Sequence, residues 1–167
     1  VASWPLIAAC ARRRGVTLAD RDGIGSRAVA IRKSMRALEA GVSVLNFPEG
    51  TTTDGSLLLP FKRGIFGAAQ LAGVKVVPVA VRYESSELCW TGDELFMPHY
   101  LKTASRPSTR VRVRFGQALD SGAYASAAVL AAVAHARVHD LFYGEPNETA
   151  KRFRIPEPRP DSILPAA

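Results

Sequence analysis

The stretch from Val42 to Thr51 reads VSVLNFPEGT and decides the fold class of this 167-residue chain. Its first five residues form a short apolar run, which predicts a buried strand. Proline and glycine then break the strand, and the loop that follows carries the carboxylate of Glu49 and three hydroxyls, those of residues 51–53. An α/β fold presents its chemistry at strand ends in this way, so the sequence predicts a functional site at this loop.

The rest of the chain alternates helical and strand-like segments. A helix is predicted from a cap at Ser26 to a stop at Gly41, and a second helix over residues 64–72 ends at Gly73. The other predicted elements are a helix over 4–14, a β-prone run at 16–19, a strand over 75–83 that Pro78 interrupts, an irregular stretch over 84–106, a half-exposed strand over 109–115 and an Ala-rich helix over 123–142. This order predicts an α/β fold with a mixed, mostly parallel sheet flanked by helices.

The chain is long enough for one domain with its own core. We predict that this domain spans residues 1–144. Five of the chain's 11 prolines fall in residues 145–167, so this Pro-rich C-terminal segment is predicted to be an extended or disordered tail.

Charge and cysteine content narrow the function classes. The chain has 22 Lys and Arg against 15 Asp and Glu, a net charge of +7, which favours an anionic partner such as lipid headgroups, CoA, acyl carrier protein or nucleic acid. Cys10 and Cys89 have neither the spacing of a metal site nor that of a disulfide framework, so no metal is expected. The longest apolar run, residues 127–134, is far shorter than the ~20 residues that cross a bilayer.

Residues 47–51, FPEGT, also resemble a motif of the glycerolipid acyltransferases. Other segments resemble further parts of that family in the same order, and the resemblance covers roughly residues 1–119. These segments are 1–7 (VASWPLI), 16–21 (VTLADR), 60–64 (PFKRG), 76–80 (VVPVA), 90–94 (WTGDE) and 111–116 (VRVRFG). Several matches in one order make a chance resemblance improbable.

The resemblance implies a glycerol-3-phosphate acyltransferase-like α/β fold and an acyltransferase activity. Such an enzyme transfers a fatty acyl group from acyl-CoA or acyl carrier protein to the hydroxyl of a lysophospholipid such as 1-acylglycerol 3-phosphate. The resemblance implies no cofactor beyond the acyl donor and no nucleic-acid partner. It also implies that the enzyme acts at a membrane surface. The expected location is the cytoplasmic face of the cell membrane.

The resemblance also implies which residues form the site. Glu49 and Gly50 are the expected catalytic residues, and the backbone N–H of Gly50 or Thr51 is a candidate donor to the oxyanion. Arg21 and Lys62 are the expected cations for a phosphate. The full set of expected substrate-binding residues is Arg21, Phe47, Pro48, Glu49, Gly50, Thr51, Thr52, Lys62 and Pro78.

Two departures from the family pattern stand out. The family usually has Arg or Lys and then Ser after Glu-Gly-Thr, where this chain has Thr52 and Thr53, and this difference leaves the acceptor open. The family's catalytic His-x-x-x-x-Asp precedes the motif, and no such element lies ahead of it here. Because the sequence starts at Val1, we expect an N-terminally incomplete fragment that lacks its general base and shows no turnover alone.

A literal His-x-x-x-x-Asp match occurs at His135–Asp140, but it falls in the predicted C-terminal helix. Five residues along a helix turn the side chain by roughly 140°, so we expect these two to be helix-surface residues and not a catalytic pair.

Three other interpretations stay open. The same scaffold could acylate lyso-ornithine lipid, whose headgroup lacks the glycerol phosphate. The positive charge permits a basic nucleic-acid-binding module, although no fingerprint of one is present. A catalytically inactive scaffold is the third alternative.

Overall fold

A computed structural model describes residues 24–90 and 95–144 of the chain. These residues form helices α1 (Ile24–Glu39), α2 (Gly64–Leu71), α3 (Phe96–Ala104) and α4 (Ala127–Tyr143). The strands are β1 (Lys75–Val76), β2 (Val79–Tyr83), β3 (Val111–Phe115) and β4 (Leu119–Asp120). Two short 3₁₀ helices lie at Ser86–Leu88 and Ser121–Ala123.

Helix α1 carries the chain into the motif loop. It begins at Ile24, two residues before the predicted cap, so Ser26 lies in its first turn. It ends where predicted, because Gly41 adopts a φ of +76° and the N–H of Val42 turns back to the carbonyl of Ala37 at 2.9 Å. This closure is typical of a glycine that terminates a helix.

The β-structure consists of two antiparallel pairs. Strand β1 pairs with β4, and β2 pairs with β3 in a register that sets Val79 opposite Phe115 and Tyr83 opposite Val111. Pro78 separates β1 from β2 because it has no N–H to give to a ladder, and its carbonyl accepts the N–H of Gly116 at 2.8 Å. The predicted interruption of this strand by proline is confirmed.

The core lies between α2 and α4. Leu130 is fully buried and packs with Phe66, Leu119 and two alanines of α4, Ala131 and Ala134. Small residues on α4 let the two helices approach closely, and this explains the Ala-rich sequence. Helix α4 starts at Ala127, four residues later than predicted, because the hydroxyl of Ser126 caps it by accepting the N–H of Val129.

Strand β3 covers one of its arginines more than its apolar side chains. Val113 and Phe115 are exposed, whereas Arg114 is half-buried. Arg114 Nη1 donates to the carbonyls of Leu141 and Gly144 at 2.8 and 2.6 Å. These carbonyls lie at the end of α4, where a helix lacks internal donors and attracts a cation, so Arg114 packs against the C-terminal end of α4.

The sequence prediction missed helix α3 in the stretch expected to be irregular. Pro98 is the third residue of α3, and a proline in the first turn removes no helical hydrogen bond. On this helix His99 is buried and its Nε2 lies 3.4 Å from the carbonyl of Leu88, so it joins α3 to the preceding 3₁₀ turn.

These elements make the described part an α/β structure, as predicted. The finer prediction of a mostly parallel sheet is not shown, because both described pairs are antiparallel. The strand expected over residues 42–46 is also not confirmed, since these residues join no ladder and Leu45 is 79% exposed. The helix at 4–14, the β-prone run at 16–19 and the tail at 145–167 lie outside the described residues.

Candidate functional site

The motif forms a tight turn directly after the connection from α1. The N–H of Gly50 donates to the carbonyl of Phe47 at 3.1 Å, and the N–H of Lys62 donates to the carbonyl of Pro48 at 2.9 Å. Gly50 has a φ of +73°, which is why glycine occupies this position. The turn is therefore fixed from both sides, by its own backbone and by the segment that leads into α2.

The carboxylate of Glu49 closes the loop that follows the turn. Its Oε2 accepts the N–H of Leu59 at 2.9 Å, a contact that spans ten residues and is partly buried. A carboxylate on a backbone donor forms a hydrogen bond about twice as strong as a neutral one. Glu49 thereby sets the path of residues 50–58.

Inside that loop, short polar contacts fix the backbone. The hydroxyl of Thr53 accepts the N–H of Gly55 at 3.2 Å, and Asp54 Oδ1 accepts both the N–H and the hydroxyl of Ser56 at 2.9 and 2.6 Å. The Tyr143 hydroxyl at the end of α4 donates to the Ser56 carbonyl at 2.9 Å. The hydrogen bonds from Ser56 lower the pKa of the Asp54 carboxyl, so it is ionised at neutral pH.

The ammonium of Lys62 lies against the motif turn. A Cβ placed on Gly50 would come within 2.5 Å of Lys62 Nζ, so the absence of a side chain there leaves the space for the cation. Within residues 24–90 and 95–144, no carboxylate lies within 4 Å of this Nζ. The motif thus presents a positive charge that the described residues do not neutralise.

The turn stands at the rim of an open cavity of about 960 Å³. This volume lies at the upper end of the usual range for ligand pockets, about 300–1,000 Å³. The polar part of the lining comes mainly from the motif and its loop, residues 46–53. Apolar walls come from the exposed faces of β2 and β3, from Phe61 and from Val138 of α4.

Cys89 lines the same cavity without the properties of a nucleophile. Burial, and secondarily the negative charge of Asp54, raises the pKa of its thiol, so the thiol stays protonated at neutral pH. Its Sγ would lie 3.8 Å from a Cβ on Gly55, which places it beside the motif loop. Cys89 is therefore part of the wall rather than a reactive group.

The comparisons with known proteins agree with this geometry. A family model described as Acyltransferase matches residues 1–82, which include the motif turn, its loop and Lys62. Similar proteins include the lyso-ornithine lipid O-acyltransferase of Rhizobium meliloti, which is 32% identical over 75% of this chain and 49% of the relative. The part of the chain that this model matches belongs to the Acyltransferase family.

Two further relatives show the breadth of that family. The 1-acyl-sn-glycerol-3-phosphate acyltransferase of Neisseria gonorrhoeae is 33% identical over 60% of this chain and 38% of the relative. A lysophospholipid acyltransferase of Homo sapiens is 36% identical over 68% of this chain and 22% of the relative. The chain spans about half or less of the length of these curated acyltransferases, and no solved structure gives a significant match.

The structure brings together most residues expected from the acyltransferase resemblance. All but one of the expected residues line this cavity or contact its motif turn; they are Phe47, Pro48, Glu49, Gly50, Thr51, Thr52, Lys62 and Pro78. The exception, Arg21, lies outside the described residues, so its expected role as a phosphate-binding cation stays a prediction. No sequence pattern pointed to Leu59 and Tyr143, which hold the motif loop through hydrogen bonds to the Glu49 carboxylate and to the Ser56 carbonyl.

His135 differs from the expectation for a helix-surface residue. Its Nε2 is buried without a hydrogen-bond partner, and its ring meets the Phe61 ring edge-on with centroids 5.0 Å apart. Asp140 is exposed, and the imidazole within 4 Å of it is that of its neighbour His139. His135 and Asp140 thus do not form the acyltransferase dyad, and His135 supports Phe61 in the cavity wall.

No group of three or more His, Cys, Asp or Glu side chains in residues 24–90 and 95–144 could hold a metal ion. In the same part of this acyltransferase chain, no helix combines the length and the apolar character needed to cross a membrane.

Proposed function

We propose that this chain is part of an enzyme that transfers a fatty acyl group from the thioester of acyl-CoA or acyl carrier protein to the hydroxyl of a lysolipid. The observation that carries the proposal is the motif turn at the rim of an apolar cavity, with Lys62 Nζ against Gly50. A lysolipid has the same division into a charged headgroup and an apolar chain. The names of the curated relatives, all acyltransferases of lysolipids, support this assignment.

In the proposed reaction the acceptor oxygen attacks the thioester carbonyl. A carbon–oxygen bond forms, the carbon–sulfur bond breaks, and the hydroxyl proton ends on the thiol that leaves. A histidine base held by an aspartate, the family's His-x-x-x-x-Asp, is the expected group that takes this proton. We expect that element outside residues 24–90 and 95–144.

The motif supplies the remaining groups in this proposal. The Gly50 N–H already donates to Phe47, whereas the Thr51 N–H has no acceptor among the described residues, so Thr51 is the favoured oxyanion donor. Lys62 binds an anionic group of the acceptor headgroup, and Arg21 is its proposed partner in this role. Glu49 orders the loop through Leu59 and thereby aligns Thr51 with Lys62.

The test is acyl transfer by the whole protein from acyl-CoA and from acyl carrier protein, with 1-acylglycerol 3-phosphate and lyso-ornithine lipid as acceptors. We expect Lys62→Met, which keeps the length of the side chain, to raise the KM for the acceptor about tenfold because it removes one charge-assisted contact. Arg63→Met removes the same charge from the neighbouring exposed position and should change KM less than twofold. Equal effects of the two variants, or no transfer to either acceptor by the unmodified protein, would refute the assignment.

The second acceptor, lyso-ornithine lipid, is favoured by a specific feature of the loop. Where the family usually places a cation after Glu-Gly-Thr, this chain continues with Thr52, Thr53 and the ionised Asp54. No Lys or Arg side chain of the described residues lies within 4 Å of the Asp54 carboxylate. An ornithine headgroup carries an ammonium that this carboxylate could bind, together with a carboxylate for Lys62.

Asp54→Asn separates the two acceptors. Asparagine can still accept the Ser56 N–H and keep the loop turn, but it loses the charge. We expect kcat/KM for lyso-ornithine lipid to fall about tenfold and that for 1-acylglycerol 3-phosphate to change less than twofold. Kinetic constants measured for both acceptors with one acyl donor check this, and a parallel loss for both would assign Asp54 to loop structure alone.

Location and the complete fold follow from this proposal. Because the acceptor is a lipid, we propose that the enzyme works at a membrane surface, on the cytoplasmic face. We also propose that residues 1–144 form the acyltransferase domain and that its complete sheet is mixed and mostly parallel, with residues 42–46 as one strand. The apolar composition of residues 42–46, which is typical of a buried strand, supports this part of the proposal.

A further inference from the structure

The face of the β2–β3 pair that turns away from the cavity carries three arginines. In the antiparallel register, Arg82 lies directly opposite Arg112, and Ala80 lies opposite Arg114. Paired residues point to the same face of a sheet, so the three guanidinium groups share one side. They line a shallow depression whose other walls are Leu141 and Phe142 of α4. We call this group the arginine face.

Two of these arginines are held in place by the end of α4. Arg114 Nη1 donates to the carbonyls of Leu141 and Gly144. Arg82 lies with its guanidinium carbon 5.6 Å from the centre of the Phe142 ring and makes a long contact of 3.5 Å with the Phe142 carbonyl. These contacts fix the positions of two cations, but their acceptors are neutral carbonyls and a ring, so the positive charge remains.

Arg112, in contrast, makes no contact of this kind with the end of α4. It is exposed, and it makes no hydrogen bond or ion pair within the described residues. Glu84, the carboxylate that follows β2, accepts the backbone N–H of Arg110 at 3.3 Å and comes within 4 Å of none of the three guanidinium groups. Like charges directly opposite on a strand pair destabilise it, so the Arg82–Arg112 pair costs free energy unless an anion lies between them.

From this arrangement we propose that the arginine face binds the phosphate of an anionic phospholipid headgroup and anchors the protein on the membrane. The planar fork of a guanidinium matches phosphate oxygens, and two forks on opposite strand positions can hold one phosphate between them. The shallow depression encloses no cavity, so it suits a phosphate presented on a flat surface better than a nucleotide, whose base needs a wall.

This site is separate from the proposed acceptor site. The cavity is lined by the opposite face of the same strands, through Val81, Tyr83 and Val113. Occupation of the arginine face therefore leaves the cavity free, so membrane anchoring and acceptor binding can be measured independently.

The experiment is co-sedimentation of the chain with vesicles, comparing Arg112→Gln with the matched control Arg137→Gln. Both variants remove one exposed arginine, and Arg137 lies on α4 outside the arginine face. On vesicles with 30% phosphatidylglycerol we expect Arg112→Gln to weaken binding about fivefold, as expected for one cation at a membrane surface. We expect Arg137→Gln to weaken it less than twofold, and neither variant to alter binding to pure phosphatidylcholine vesicles.

Three outcomes would overturn the proposal. Equal losses in the two variants would mean that binding follows net charge and not the arginine face. Binding of CoA that is lost in Arg112→Gln, without any effect on vesicles, would assign the face to a soluble phosphate. Unchanged vesicle binding by the double variant Arg82→Gln/Arg112→Gln, with its unfolding midpoint preserved, would exclude the face altogether. Acyl transfer in detergent micelles tests the proposed function separately, because it needs no membrane anchor.

Discussion

Glu49→Ala is expected to lower acyl transfer about 100-fold and to reduce the free energy of unfolding by about 2 kcal/mol. The carboxylate holds the Leu59 N–H at a partly buried position, and the loss of a hydrogen bond to a charged group costs about 1.5–3 kcal/mol. The loop then loses its closure, and Thr51 and Lys62 lose their fixed alignment. Urea unfolding monitored by circular dichroism and steady-state kinetics of the whole protein measure the two effects.

A conservative variant and an unrelated glutamate sharpen this test. Glu49→Gln keeps an oxygen for the Leu59 N–H and should recover at least half of the lost stability and part of the activity. Glu39→Ala, at the exposed end of α1, should change stability by less than 0.5 kcal/mol. If Glu49 only orders the loop, both acceptors lose kcat/KM equally. A loss confined to one acceptor would show instead that the carboxylate contacts the headgroup.

The sequence was sufficient to predict the turn of the candidate site, because the signals of a turn are local. Pro48 and Gly50 favour a turn whatever tertiary structure surrounds them, and the positive φ of Gly50 agrees with this prediction. The proximity of Lys62 to this turn followed from the family resemblance. The Glu49–Leu59 contact was not readable, because a backbone N–H ten residues away carries no sequence signature.

The sequence does not predict structure where two local conformations or two faces are equally compatible with it and a tertiary contact decides between them. The alternation in β3 fixes two faces but does not say which one is covered, and here the open carbonyls of α4 attract Arg114. Helix α3 was not predicted, although Pro98 in its first turn is compatible with a helix. Residues 42–46 have the composition of a strand, but a strand also needs a partner, and the described residues provide none.

Gly50→Ala is expected to lower kcat/KM for the acceptor at least tenfold, and the accompanying loss of stability does not explain this fall. The backbone there has a φ of +73°, so any side chain costs about 1–2 kcal/mol of strain. The new Cβ also meets Lys62 Nζ at 2.5 Å. Because the ammonium ends a flexible side chain, it can move away at little energetic cost, and the charge then leaves the motif turn.

Gly73→Ala is the matched control for this displacement. Gly73 has a φ of +63°, and a Cβ there meets nothing within 4 Å. Both variants should therefore lose similar stability, about 1–2 kcal/mol by urea unfolding, while only Gly50→Ala loses activity. In the double variant Gly50→Ala/Lys62→Met, kcat/KM should fall no further than in the more impaired of the two single variants, because both changes remove the same cation from the turn. Additive losses would show that Gly50 acts through its own backbone, with the oxyanion donor at Thr51 as the first group to examine.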